Sequence, residues 1–311
     1  MSDIKKYEPL WGVWYVESLI GQGLFSKVYK VRRDFFLKTH YAAVKMITVP
    51  LDESEVRLME REGLDDDAMQ EFFQTLTRNL VTEIDLMSEF RQDCYAGLNS
   101  HIVNIEDYQI IEHEDSFVRD ILIRMELLES LVDHVAEAVM PPSEVVKLGI
   151  HMCHALDLCS RKNVIHRNIK PDNIFVSAHG NYKLGDFGIA RQIERTSVEL
   201  SKKGANAYMA PEVFKYEAYG ASADIYSLGI VLYGLLNRNR IPFMPAFPEP
   251  ILPDNRTEAL HRRMKGEPLP ILKEVSPQLN DIVLKACAFN RSERFASPTA
   301  MREALEGIGS Q

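Results

Sequence analysis

The chain has 311 residues, 46% of them hydrophobic, which is enough for one large domain or two modest ones around a sizeable core. Its 36 Lys and Arg against 45 Asp and Glu give a net charge of −9. That balance argues against nucleic-acid binding or anionic-membrane binding as the main task, because both need a cationic excess. The four cysteines, Cys94, Cys153, Cys159 and Cys287, form no Cys-x-x-Cys pair and stand beside no histidine cluster of metal-site spacing, so reduced thiols are expected rather than zinc or disulfides. The N-terminus lacks the apolar run of a signal peptide, and no stretch approaches about 18 apolar residues. The expectation is a soluble cytoplasmic domain with no membrane contact of its own, and an anchor beyond Gln311 would lie outside this sequence.

In chain order, a first segment over 11–20 leads into Gly21-Gln22-Gly23-Leu24-Phe25-Ser26 and then Lys27-Val28-Tyr29-Lys30-Val31-Arg32, which alternates polar and apolar residues as a strand does. A dinucleotide-binding glycine loop would open a helix; this one opens a strand, so the glycines belong at a hairpin tip. Two glycines alone also fit an ordinary turn. Tyr41-Ala42-Ala43-Val44-Lys45-Met46-Ile47 predicts a buried strand carrying one lysine, which must either find an anionic partner or snorkel to the surface. Glu83 is the partner candidate, on a helix whose apolar face is marked by Leu80, Ile84 and Met87; Glu71 and Glu89 are less well placed substitutes. Between them an additional helical segment is expected over 53–62, followed by an acidic turn over 63–67. Strands are expected near 105–111 and 117–125, ending in Met125-Glu126-Leu127-Leu128. From Pro142 the pattern turns helical: Val145, Leu148, Gly149, Met152, Leu156 and Cys159 recur at three and four spacing, with later helices over 222–236, 257–265, 276–287 and 297–306. Strands come first and helices after, which predicts two lobes divided near Leu128.

Ile165-His166-Arg167-Asn168-Ile169-Lys170-Pro171-Asp172-Asn173, followed by Asp186-Phe187-Gly188, resembles the catalytic loop and the metal-binding loop of protein kinases, with His-Arg-Asn in place of His-Arg-Asp. Ala210-Pro211-Glu212 and Asp224-Ile225-Tyr226-Ser227-Leu228-Gly229 extend the resemblance, as does Arg294, which matches the arginine that pairs with Glu212 in that family. Lys170, two positions after Asn168, is the Ser/Thr-kinase form, and the chain looks closest to bacterial Ser/Thr kinases of eukaryotic type. The resemblance implies an α+β, two-lobed kinase fold over 11–308, with an N-lobe over 11–128 and a C-lobe over 129–308. It implies ATP and Mg2+, with Mn2+ as the substitute metal, as cofactors. Gly21, Gly23, Ser26, Val28, Ala43, Lys45 and Phe175 would contact the nucleotide, Met125 would take the gatekeeper position, and Glu126 and Leu128 would meet the adenine through their backbone. Lys45, held by Glu83, would bind the α- and β-phosphates, Lys170 the γ-phosphate, and Asp186 and Asn173 the metal.

Two departures bear on activity. Asn168 stands where the family has the aspartate that accepts the substrate proton, and an amide oxygen is far too weak a base for that task. Ala205 replaces the usual threonine of the same hydrogen-bond cluster. The expected function is transfer of phosphate from ATP to Ser or Thr hydroxyls of protein substrates, impaired in this chain; the alternative is a pseudokinase that binds nucleotide as a scaffold. Arg167 would pair with a phosphate on the activation segment, for which Thr196, Ser197 and Ser201 are the acceptors. The run Arg262-Arg263 with Lys265 reads as a solvated helix end, or as a docking or homodimer face.

Overall fold

The computed structural model describes residues 3–23, 26–50, 53–94, 101–113, 117–136, 139–186 and 207–308. The chain divides into two compact units, one dominated by a sheet and one by helices.

The sheet unit has five strands, β1 (Tyr15–Gln22), β2 (Ser26–Phe35), β3 (Lys38–Val49), β4 (Ile105–Glu112) and β5 (Arg119–Met125), all antiparallel in the order β1-β2-β3-β5-β4. Alternation decides which face is covered: Tyr29 and Val31 of β2 join Ala42, Val44 and Met46 of β3 and Leu122 of β5 in one buried cluster. Ile4, Leu10 and Trp14 complete that cluster, so the N-terminal 3-10 turn Asp3–Tyr7 belongs to the core of this unit, a role that a reading starting at residue 11 does not see. Buried Asp120 holds the turn in place. Its carboxylate accepts from the Tyr7 hydroxyl, from Thr48 Oγ1 at 2.6 Å and from His113 Nε2 at 3.0 Å, with Lys6 Nζ at 3.6 Å.

Two helices follow β3, α1 (Glu53–Arg61) and α2 (Asp66–Cys94). The predicted acidic turn over 63–67 is shorter than expected, because Asp66 and Asp67 already form the first turn of α2, where carboxylates meet the positive end of the helix dipole. Gly63, with φ at +89°, ends α1 as its amide bonds Glu60 O and Leu64 N–H reaches Met59 O, while Asp65 starts α2 by accepting from Ala68 N–H at 2.8 Å. Met69, Phe73, Leu76, Leu80, Ile84, Met87 and Phe90 form one buried stripe along 29 residues of α2, which includes the expected face.

The helical unit begins with β6 (Glu129–Ser130) and α3 (Leu131–His134), then α4 (Pro142–Arg161), β7 (Ile174–Val176), β8 (Tyr182–Leu184), α5 (Pro211–Phe214), α6 (Ser222–Leu236), α7 (Pro253–Met264), α8 (Pro277–Ala286) and α9 (Pro298–Glu306). The three short strands pair in the order β6-β7-β8. Proline opens α4, α5, α7, α8 and α9, and Ser276 and Ser297 cap the last two through their hydroxyls. Helix α6 is apolar all round and buried from Ala223 to Leu235, as a central helix must be. Gly229 permits its approach to α8, since a Cβ there would lie 2.7 Å from Cys287 Sγ.

The run Arg262-Arg263 is not the solvated pair that its composition suggests. Arg263 is 2% exposed and donates to the Ala207 carbonyl and, at 3.4 Å, to Tyr226 Oη; Arg262 bonds Glu267 at 2.7 Å and lies over the Phe243 ring at 4.1 Å. Charge alone could not distinguish an arginine that ties a loop to the core from one facing water. Only Lys265 of the three is exposed.

Candidate active site

Within the helical unit, the loop after α4 is held by its backbone. Buried Asp224 of α6 accepts from the amides of His166 and Arg167, both at 2.8 Å, so one carboxylate anchors two consecutive peptides. Arg167 takes φ +67°, a left-handed conformation uncommon for a residue with a side chain, and its guanidinium lies 5.5 Å over the Tyr219 ring. His166 is fully buried, and burial lowers its pKa to about 4, so it is neutral at pH 7. Its Nδ1 accepts from Asn168 N–H at 3.3 Å, which leaves Nε2–H to donate to the Gly185 carbonyl at 3.0 Å. This ring therefore links the Asn168 loop to the segment that carries Asp186.

A second link runs through Asn173. Its Nδ2 donates to the Asn168 carbonyl at 2.7 Å, and its own carbonyl accepts from Gly185 N–H at 2.9 Å. The amide nitrogen is thereby committed and the amide oxygen is the donor that a cation would take. Asp186 follows Gly185 with φ at +50°, a second left-handed residue. One carboxylate and one amide oxygen on bonded neighbouring segments suit Mg2+, which keeps waters and substrate oxygens in its shell; an all-protein cage of three or more His, Cys, Asp or Glu is absent among the described residues. Phe187, Gly188, Thr196, Ser197, Ser201 and Ala205 lie outside the described residues.

Within the sheet unit, Lys45 is 4% exposed on β3 and registers with Val28 on one side and Ile123 on the other. A buried ammonium requires compensation. Among the described side chains of α2, Glu83 is the carboxylate not fully given to solvent, while Glu71 and Glu89 are both exposed. The glycine segment is a hairpin, as expected: Gly21 registers with Val28, and Gly23 N–H donates to Ser26 O at 2.8 Å. A Cβ on Gly23 would come within 3.3 Å of Ser26 Oγ, a contact that a shift of that side chain could relieve. Ala43 is buried and registers with Met125. Glu126 uses its amide and carboxylate on Asn104, at 3.2 and 2.7 Å, groups distinct from the carbonyl assigned to adenine. Phe175 sits half-buried on β7 between Ser130 and Lys183.

Farther from the loops, Arg294 makes a two-pronged pair with Glu212 at 2.6 and 2.8 Å and also donates to the carbonyls of Ser222, Ala288 and Phe289. Burial by itself would raise the Glu212 carboxyl; the bonds from Arg294 and the nearby Arg291 charge outweigh it and hold it below its ordinary value. Residues 14–305 match the family described as Protein kinase domain. This chain belongs to the protein kinase family.

The two units are accordingly the lobes of a protein kinase fold of α+β class. Serine/threonine-protein kinase PknB of Mycobacterium leprae (strain TN) is 33% identical to this kinase domain over 172 residues, 53% of the chain and 26% of that protein. Serine/threonine-protein kinase TIO of Arabidopsis thaliana is 29% identical, and serine/threonine-protein kinase 36 of Pongo abelii 31% identical, each over 223 residues, 71% of the chain and 14% of the relative. The matched stretch spans about a quarter of the first relative's length and less of the other two. No described helix is long and apolar enough to cross a membrane.

Proposed function

We propose that this kinase domain binds Mg·ATP and derives from enzymes that phosphorylate Ser and Thr hydroxyls of proteins, and that Asn168 disables the transfer step in the chain as it stands. The observation that carries this reading is the hydrogen-bonded cluster of His166, Asn168, Asn173 and Gly185. Backbone bonds hold residue 168 in this loop, and the residue there is an amide where the kinase pattern has an aspartate. Mg·ATP, or Mn·ATP, supplies the phosphoryl group and the cation that offsets charge developing on its oxygens. Asp186 and Asn173 would hold the metal; Lys45, steadied by Glu83, would take the α- and β-phosphates, and Lys170 the γ-phosphate. Gly21, Gly23, Ser26 and Val28 would cover the nucleotide, Ala43, Met125 and Phe175 would flank the base, and Glu126 and Leu128 would bond it through their backbone.

At position 168 an aspartate would take the proton of the attacking hydroxyl. Asn168 can accept a hydrogen bond from that hydroxyl and orient it, yet it cannot carry the proton away. A second reading rests on the same residue together with Ala205: both depart from the sequence pattern of working kinases, as expected of a pseudokinase whose surface, rather than its chemistry, is its function. Cytoplasmic protein partners, including a second copy of the chain, suit either reading.

Arg167 provides the test of lineage. In a working form it would pair with a phosphate on the activation segment. In a host without other kinases, the Asn168→Asp chain is expected to carry phosphate on at least one of Thr196, Ser197 and Ser201, and the unaltered chain on none. Equal phosphate on both, by phosphopeptide mapping, would contradict catalysis by this site.

A further inference from the structure

Outside the loops already described, the helical unit brings three histidines together. His101 stacks on His151 with ring centroids 3.9 Å apart and planes 22° from parallel, and His154 lies 5.6 Å from His101 at 25°. His151 and His154 share one face of α4, while His101 comes from the segment before β4. Both members of the close pair bond the backbone of the same residue, on one edge of β8. Tyr182 N–H of β8 donates to His151 Nδ1 at 3.1 Å, and the Tyr182 carbonyl is 3.0 Å from His101 Nδ1.

Backbone groups cannot exchange roles, so these bonds fix both tautomers. His101 must carry its proton on Nδ1 to donate to a carbonyl, and His151 must leave Nδ1 bare to accept from an amide. His101 also accepts from Leu184 N–H through its own carbonyl at 2.7 Å. The edge of β8 is thus held by two imidazoles and one peptide in place of a strand. Two residues after Leu184 the chain reaches Asp186.

We propose that His101 and His151 are positioning residues for Asp186: as neutral rings they hold the Tyr182 N–H and C=O on one edge of β8, and protonation of His151 releases the grip. The proposal rests on the metal-binding role given to Asp186 above. A second proton on His151 has only Nδ1 to occupy, where it would oppose the Tyr182 N–H. The surroundings mostly disfavour that proton as well. His101 is stacked on the ring, Lys147 and His154 lie on its own helix, and Lys183 of β8 and the Arg302 of α9 add positive charge around His101 and His154. Glu144, which accepts from the Tyr182 hydroxyl at 3.0 Å, opposes them, as do Asp157 and Glu306 around His154. Burial dominates and, with the neighbouring cations, lowers His151 to about 4.

The sign follows from linkage. The gripped ring binds its proton at about 4 and the released ring near 6.5, so the grip is complete above pH 6.5 and weakens as pH falls from there. Between pH 7.5 and 5 the equilibrium moves toward release by on the order of tenfold or more.

The experiment compares the full chain with His151→Asn, whose amide oxygen can accept from Tyr182 N–H at any pH, and with His151→Leu, which can accept at none. Amide hydrogen exchange of Tyr182 and Leu184, corrected for intrinsic rates, is followed by NMR from pH 7.5 to 5, with Mg2+-dependent ATP affinity measured in parallel. The expected result is protection lost about tenfold on acidification in the natural chain, retained in His151→Asn and absent throughout in His151→Leu, with the Mg2+ dependence of ATP affinity following the same order. Identical pH dependence in the natural chain and His151→Asn, or full protection in His151→Leu, would overturn the grip. Exchange as expected with unchanged Mg2+ dependence would overturn the positioning of Asp186. No Mg2+-dependent ATP binding in any chain would overturn the metal reading and the positioning with it, while the exchange data still decide the grip.

Discussion

The Asn168→Asp substitution is expected to raise phosphate transfer to a generic Ser/Thr substrate by about a hundredfold to ten-thousandfold, the worth of a positioned general base, or roughly 3 to 5 kcal/mol of barrier. The fold should tolerate the change. The hydrogen bonds that fix residue 168 in its loop come from its backbone, whose amide donates to His166 Nδ1 and whose carbonyl accepts from Asn173 Nδ2, so exchanging amide for carboxylate leaves both in place. Ala205 also lacks the hydroxyl that the resemblance implies at its position, so Asn168→Asp combined with Ala205→Thr is expected to exceed the single substitution. Radiolabelled transfer from Mg·ATP at matched protein concentration measures both. Silence in all forms would favour the scaffold reading.

Arg294→Met is expected to cost about 3 to 5 kcal/mol of stability, because it leaves the Glu212 carboxylate buried without its partner. The arginine side chain is fully buried and the glutamate 6% exposed, and three backbone carbonyls lose a donor as well. Glu212→Gln should cost less, since it removes a charge yet keeps the shape. The pair also sets a pH dependence. The folded carboxyl is held below its ordinary 4.5, so its stabilising contribution is complete above about that pH and is lost as pH falls through the lower folded value. Urea midpoints at constant m-value would measure the effect, and a loss below about 1 kcal/mol, the scale of an exposed pair, would mean that Arg294 is not holding the unit together.

Several structural features around the proposed site could be read in the sequence because they place unusual residues in fixed positions. A lysine inside an apolar strand, glycines that open a strand rather than a helix, and the stripe through Leu80, Ile84 and Met87 each have few explanations, and the described geometry agrees with all three. What escaped reading depended on tertiary partners. Ile4, Leu10 and Trp14 are too widely spaced, among Lys5, Lys6 and Glu8, to look like core. Asp66 and Asp67 looked like a turn because acidic residues favour turns and helix starts alike, and only the Asp65 cap decides between them. Arg263 looked solvated because composition cannot reveal Ala207 O and Tyr226 waiting in the interior. The meeting of His101 with His151 and His154 is a product of the fold and was not read in the sequence.

The most direct measurement is a calorimetric titration of the unaltered chain with ATP in the presence and absence of Mg2+, repeated with Lys45→Ala. A kinase domain that has lost its base and kept its phosphate and metal groups should bind ATP saturably, more tightly with Mg2+, and at least about tenfold more weakly once Lys45 is removed, the scale of one hydrogen-bonded charge. Absence of binding under every condition, or binding indifferent to both Mg2+ and Lys45, would contradict it.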